Sequence, residues 1–263
     1  MTFIVVNFIF IILIFLISAV IARILIPRIL LISLRKKLFD IPDDRKVHKR
    51  AIPRLGGVSF FPTTLFAFCL VYTFRLLGGD SVSTLYASYL LPELLLFACG
   101  MTLLYLTGIA DDLVGVRYRQ KFVIQIFCAC LFPLSGLWIN DLYGLFGIHE
   151  LSVYVGIPFT ILTVVFITNA INLIDGIDGL ASGLSSVALL IFTFLFIEKG
   201  LWSYAMLAAG TFGVLVPFFY YNVFGSVERA RKIFMGDTGS LTLGYTLSFL
   251  AIKYSQHLSL IHI

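Results

Sequence analysis

Three short segments place carboxylates and amides where apolar runs begin or end. Thr107-Gly-Ile-Ala-Asp111-Asp112 closes one such run. Adjacent side chains on a helix diverge by about 100°, so one carboxylate can face a site while the other turns to a neighbour. Two like charges this close raise one pKa, which suits a group that accepts a proton. Acids at a helix end are often merely solvated. At a C-terminus, however, they oppose the helix dipole and need an offset.

The second segment is Asn169-Ala-Ile-Asn172-Leu-Ile-Asp175-Gly-Ile-Asp178-Gly. Its polar residues recur every three positions. Each step drifts by about 60° around an ideal helix, so neighbours share a face and the ends do not. Gly176 and Gly179 are places to break or tighten the helix. Neutral amide oxygens beside carboxylates make a hard-ligand set for Mg²⁺. The helix after Gly179 turns its N-terminus toward the same place, which favours phosphate. The third segment is Phe234-Met-Gly236-Asp237-Thr238-Gly239-Ser240. A plain helix cap is one reading of it. The other is an Asp on a glycine-flanked turn, able to bind a metal.

Two basic stretches accompany these acids. Arg117-Tyr-Arg119-Gln-Lys121 comes after Asp112, and a cation there can neutralise a diphosphate or simply snorkel at an interface. The loop from Asp40 to Gly57 holds Arg45, Lys46, His48 and Arg54 and ends in a shaped Pro53-Arg-x-Gly-Gly turn. Those side chains suit the phosphates of a lipid or a nucleotide, or contact with lipid headgroups.

Positioning these segments falls to apolar elements. Of the 263 residues, 60% are hydrophobic and 13% charged, with a mean hydropathy of +1.02. A soluble globule cannot hide that much apolar surface, and disorder or a disulfide scaffold is excluded by the same figures. The four cysteines fall inside apolar runs and read as small hydrophobes rather than metal ligands. An all-α, polytopic transmembrane bundle in a single domain, residues 1–263, is expected. About eight spans fit: 3–22, 55–74, 94–110, 122–139, 151–168, 179–197, 201–222 and a short one at 238–252.

Charge sorts these spans by side. Sixteen of the 19 Lys and Arg fall in one alternating set of loops, and only Arg75, Lys199 and Lys253 in the other. The positive-inside rule makes the first set cytoplasmic and the N-terminus external. Nine of the 14 acids share that side. A face carrying both signs suits a metal and phosphates.

Taken in order, Asp111-Asp112, Asn169-x-x-Asn172-x-x-Asp175-Gly-x-Asp178-Gly and Gly236-Asp237-Thr-Gly-Ser resemble the polyprenyl-phosphate N-acetylhexosamine-1-phosphate transferases. The likeness runs from about Asp40 to Gly244. It implies Mg²⁺-dependent transfer, with Mn²⁺ as a substitute, of N-acetylhexosamine 1-phosphate from a UDP-sugar to undecaprenyl phosphate, releasing UMP. It also implies a place in the bacterial cytoplasmic membrane, with the site on the cytoplasmic face. By that resemblance Asp237 binds Mg²⁺ with Asn172, and Asp111 or Asp112 activates the lipid phosphate. Asn169, Asp175 and Asp178 help organise nucleotide and metal, and Lys121 contacts the diphosphate. Arg45, His48 and Arg54 bind substrate. The basic loop is similar to that of the branch using UDP-N-acetylglucosamine, the sister branch using UDP-N-acetylmuramoyl-pentapeptide for peptidoglycan. No nucleic-acid partner is implied, and a homodimer stays open.

One departure stands out. The family continues with further spans and a cytoplasmic His-rich loop, for which His257 and His262 are poor replacements. A C-terminally truncated form, inactive or very weak, is expected, with a non-native tail losing helical character from about His257. A transporter with intramembrane carboxylates and an inactive membrane scaffold are the competing classes.

Overall fold

Eight helices and one small hairpin make up the described residues. The structure is a computed structural model describing residues 2–36, 38, 52–78, 81–145, 147–226 and 231–261. Helix α1 spans Thr2–Arg35, and a 3-10 turn at Gly56–Ser59 leads into α2 (Phe60–Leu77). Then come α3 (Ser81–Val114), α4 (Tyr118–Leu134), strands β1 (Asp141–Leu145) and β2 (Ile148–Glu150), α5 (Val153–Ile174), α6 (Leu180–Glu198), α7 (Trp202–Val223) and α8 (Gly236–Ile261).

Among the described residues, six helices are long and apolar enough to cross a membrane: α1, α2, α3, α5, α6 and α7. Their outward faces are those of a membrane protein. Phe166 is 70% exposed and Phe194 68%, with Leu162, Leu184 and Ile12 also open. Cys69 and Cys99 lie on such exposed positions, and only Cys128 is buried.

The less apolar α8 is central. It packs against α3, α5 and α6, with the Gly56–Ser59 turn over its start. Thr238, Ser240, Thr242, Thr246 and Ser248 are all buried along it. Four of these hydroxyls return to backbone carbonyls four residues back: Ser240 to Gly236, Thr242 to Thr238, Thr246 to Thr242 and Ser248 to Gly244, at 2.7–3.0 Å. Their polarity is thereby satisfied locally, and small side chains let neighbouring backbones close in. At Gly108 of α3 a β-carbon would lie 2.4 Å from the Thr238 Cα, so only glycine allows this approach. Helix α7, also mostly buried, packs against α1, α6 and α2.

The structure departs from the expected spans in several places. Helix α1 runs on from residue 22 to Arg35, and α3 begins at Ser81 rather than 94 and ends at Val114. Helix α4 stops at Leu134, and the chain then turns into an antiparallel hairpin pairing Asp141 with Glu150 and Leu145 with Ile148. Helix α5 continues past residue 168 to Ile174, carrying Asn169 and Asn172 as its last turns. Helix α8 does not lose helical character at His257 but runs to Ile261. The hairpin and the turn before it explain this. Tyr143 Oη donates to the Ser255 carbonyl, and Gln256 Nε2 donates to the Gly136 carbonyl at 2.7 Å. Those contacts hold a stretch whose own composition is a weak span.

Candidate active site

Two loop backbones build the floor of the site. Phe234 N–H donates to the Pro53 carbonyl at 2.8 Å, Gly56 N–H to the Phe234 carbonyl at 2.9 Å, and Gly57 N–H to the Met235 carbonyl at 2.8 Å. The Pro-Arg-x-Gly-Gly turn thus supports the turn that presents Asp237. Gly236 holds φ +74°, and a β-carbon there would sit 2.0 Å from the Arg54 carbonyl and 2.7 Å from Asp112 Oδ1. Only glycine fits.

The adjacent carboxylates of α3 diverge as helix geometry requires. Asp112 Oδ1 accepts the Asp237 N–H at 2.8 Å, and its Oδ2 accepts the Thr238 N–H at 2.9 Å and the Thr238 hydroxyl at 2.6 Å. Asp111 turns the other way. Its Oδ1 accepts the Val116 N–H at 2.6 Å, and its Oδ2 lies 2.8 Å from Lys121 Nζ. The same ammonium lies 2.9 Å from Asp237 Oδ1. Lys121, in the first turn of α4, therefore bridges carboxylates from α3 and α8.

From the α5 side, Asn172 Nδ2 donates to Asp237 Oδ1 and, at 2.8 Å, to Ser240 Oγ. Asp175, just beyond α5, accepts the Gly236 N–H at 3.1 Å. Removal from water pushes its carboxyl up to about 7. The Gly236 hydrogen bond opposes that rise, Asp112 and Asp237 add to it, and Arg54 pulls against it. Asp178 pairs with Lys232. Gly179, at φ +74°, starts α6, and its N–H donates to Asn222 Oδ1 at 2.7 Å. Asn222 Nδ2 donates onward to the Ile233 carbonyl at 3.0 Å. Asn169 faces Gln125 of α4.

The structure thus brings Asp111, Asp112, Lys121, Asn172, Asp175 and Asp237 to one end of the bundle, with Arg54 acting on Asp175. Asp178 is held by Lys232, and Asn169 by Gln125. Arg45 and His48 lie outside the described residues. Sequence reasoning passed over Gln125, Asn222 and Lys232 as partners. The signal for the first two was an isolated amide inside or at the end of an apolar run. Lys232 stood out only as part of the basic set. Among the described residues no three His, Cys, Asp or Glu side chains form a ready metal cage.

Membrane helices that gather carboxylates, amides and a lysine around one helix start define a polytopic membrane protein with a polar site at one end of its bundle. The Glycosyl transferase family 4 model matches residues 94–255, and the chain belongs to that family. It is 32% identical over 222 residues to a probable undecaprenyl-phosphate N-acetylglucosaminyl 1-phosphate transferase of Bacillus subtilis (strain 168), covering 84% of this chain and 56% of that protein. It is 29% identical over 232 residues to the undecaprenyl-phosphate alpha-N-acetylglucosaminyl 1-phosphate transferase of Yersinia pestis, covering 86% and 58%. A phospho-N-acetylmuramoyl-pentapeptide-transferase of Staphylococcus carnosus (strain TM300) is 32% identical over 235 residues, covering 82% and 66%. The chain spans a little over half the length of the first two relatives.

Proposed function

We propose that this chain carries the carboxylate half of a site that transfers N-acetylhexosamine 1-phosphate, with N-acetylglucosamine as the sugar, from a UDP-sugar to undecaprenyl phosphate. The observation that carries the reading is Lys121 Nζ between Asp111 and Asp237, at 2.8 and 2.9 Å. A cation already bridges two carboxylates where a diphosphate would need charge neutralised. In the reaction an oxygen of the lipid phosphate bonds to the β-phosphorus as the bond to UMP breaks. Such a step depends on placement and charge more than on covalent help.

The protein's groups divide this work. Asp111 or Asp112 receives a proton from the lipid phosphate; Asp112 is engaged by three donors of α8, and Asp111 by the Val116 N–H and the Lys121 ammonium. Lys121 passes from the carboxylates to the diphosphate. Asp175, Asp178 and Arg54 organise the nucleotide, and the loop bearing Arg45 and His48 adds phosphate contacts. Asn172 turns its amide nitrogen to Asp237 here, so the Asp237 carboxylate, joined by the Asn172 oxygen once that amide is turned over, would hold Mg²⁺ or Mn²⁺, since Mg²⁺ is commonly bound by one or two carboxylates together with substrate phosphates. When bound, the ion would neutralise diphosphate charge. The basic residues gathered at this end support a cytoplasmic-facing site in the bacterial inner membrane.

UMP release from UDP-N-acetylglucosamine by the full-length protein, with undecaprenyl phosphate and MgCl₂ in detergent, tests the reading. Asp237→Ala is expected to lower turnover by roughly 100-fold or more. Undiminished turnover in that variant would sink the metal assignment. The Staphylococcus carnosus relative favours a second reading, with UDP-N-acetylmuramoyl-pentapeptide as donor. Turnover with that donor alone would select it.

A further inference from the structure

Lys121 and Asn172 reach the same oxygen, Asp237 Oδ1, from two different helices. One turn behind Lys121 on α4 stands Gln125, which is 3% exposed. One turn before Asn172 on α5 stands Asn169. These two amides meet. Asn169 Nδ2 donates to Gln125 Oε1 at 2.6 Å, and Gln125 Nε2 reaches Asn169 Oδ1 at 3.4 Å. Asn169 Nδ2 also donates to the Val165 carbonyl at 2.8 Å. Its amide is therefore engaged on its own helix and on α4.

We propose that Gln125 and Asn169 are a positioning pair. By fixing α4 against α5, they set Lys121 and Asn172 on Asp237. The physical case has two parts. Helix spacing puts residues three or four apart on one face, so Lys121 and Gln125 form one edge of a frame and Asn172 and Asn169 the other. Asp237 closes the frame at its end. The pair is also hard to replace. A buried amide deprived of its partner keeps its desolvation cost, so α4 and α5 are held in one relative register rather than sliding. Neighbouring apolar contacts between the two helices are less directional than a hydrogen bond.

Acylation of lysines by an amine-reactive reagent, followed residue by residue by mass spectrometry in detergent, tests this without relying on any transferase activity. Lys121 is shielded between two carboxylates. Lys253, paired with Glu93 at 2.7 Å at the opposite end of α8, is the internal control. Gln125→Leu and Asn169→Leu are each expected to speed Lys121 acylation about tenfold, the effect of one lost hydrogen bond, with Lys253 unchanged. The double variant is expected to match the singles, since both remove one link. The swapped pair, Gln125→Asn with Asn169→Gln, conserves the combined length and is expected to return Lys121 to the slow rate. Equal acceleration of Lys121 and Lys253 would mean general loosening and would overturn the proposal. So would an unchanged Lys121 rate in Gln125→Leu. If the leucine variants do not fold, the swapped pair decides alone, a fast Lys121 rate in it counting against the proposal.

Discussion

Asp112 accepts the backbone N–H of Asp237 at 2.8 Å, so the carboxylate that ends α3 caps the helix that begins beside Asp237. Paired acids at a helix C-terminus oppose its dipole. Each finds a different offset here. Asp112 faces the positive start of α8, and Asp111 faces the Lys121 ammonium. One dipeptide therefore serves two ends: it joins α3 to α8, and it presents a carboxylate to the site.

Removing these two side chains is expected to have unequal consequences for stability. Asp112→Ala leaves two N–H groups and a hydroxyl of α8 without an acceptor, at about 1–3 kcal/mol for each that water does not reach. Asp111→Ala releases one N–H and one lysine. Thermal unfolding in detergent is expected to fall several degrees further for Asp112→Ala than for Asp111→Ala. A larger drop for Asp111→Ala would reverse the division of roles.

Gly236→Ala isolates the fit of the Asp237 turn. Left-handed backbone costs a non-glycine residue about 1–2 kcal/mol. At Gly236 the added carbon would also meet the Arg54 carbonyl at 2.0 Å. Gly200 supplies the comparison, because it has φ +70° with no atom within 4 Å of an added carbon. Gly200→Ala is expected to show the backbone cost alone. Gly236→Ala should lose more stability in the same melts, and should displace Asp237 as well. Equal losses would show that the Arg54 turn yields easily.

Much of this site was legible because membrane chains confine polarity. Asp111, Asn172, Asp175 and Asp237 stood out as polar residues at the ends of apolar runs, and those ends meet in space. The partition between Asp111 and Asp112 was not legible, since it depends on which neighbour α8 turns toward them. Gln125 and Asn222 were hidden for a related reason. A single amide in an apolar run signals a partner without naming it, and here the partners lie 44 and 43 residues away, at Asn169 and Gly179. The hairpin at 141–150 escaped because β2 is only three residues long and the five of β1, Asp141-Leu-Tyr-Gly-Leu, do not alternate strictly between apolar and polar.

Lys121 is expected to be more than a point of charge. Lys121→Met leaves Asp111 and Asp237 facing each other without their bridge, while keeping much of the side chain's length. In UMP-release assays turnover is expected to drop by roughly 100-fold. Lys121→Arg keeps the charge, but its planar fork does not reproduce a compact ammonium between two carboxylates. An intermediate loss is expected for it. Full turnover in Lys121→Met would remove the lysine from the reaction.

The raised carboxyl of Asp175 makes a pH-dependent expectation with a definite sign. Its folded value, about 7, lies above its ordinary value of 3.8. Between those values the folded chain holds a proton that the unfolded chain releases. This group's contribution to stability is thus complete below pH 3.8 and is lost as pH rises through about 7. Asp175→Asn imitates the neutral form, can still accept the Gly236 N–H, and does not ionise against Asp112 and Asp237. Melts without added divalent cation, taken from pH 5 to pH 9, should therefore show the variant gaining on the wild type. The gain is expected to be roughly 2–5 °C across the range. A wild type that becomes the more stable of the two at high pH would mean that Arg54, rather than burial and the neighbouring acids, governs this carboxyl.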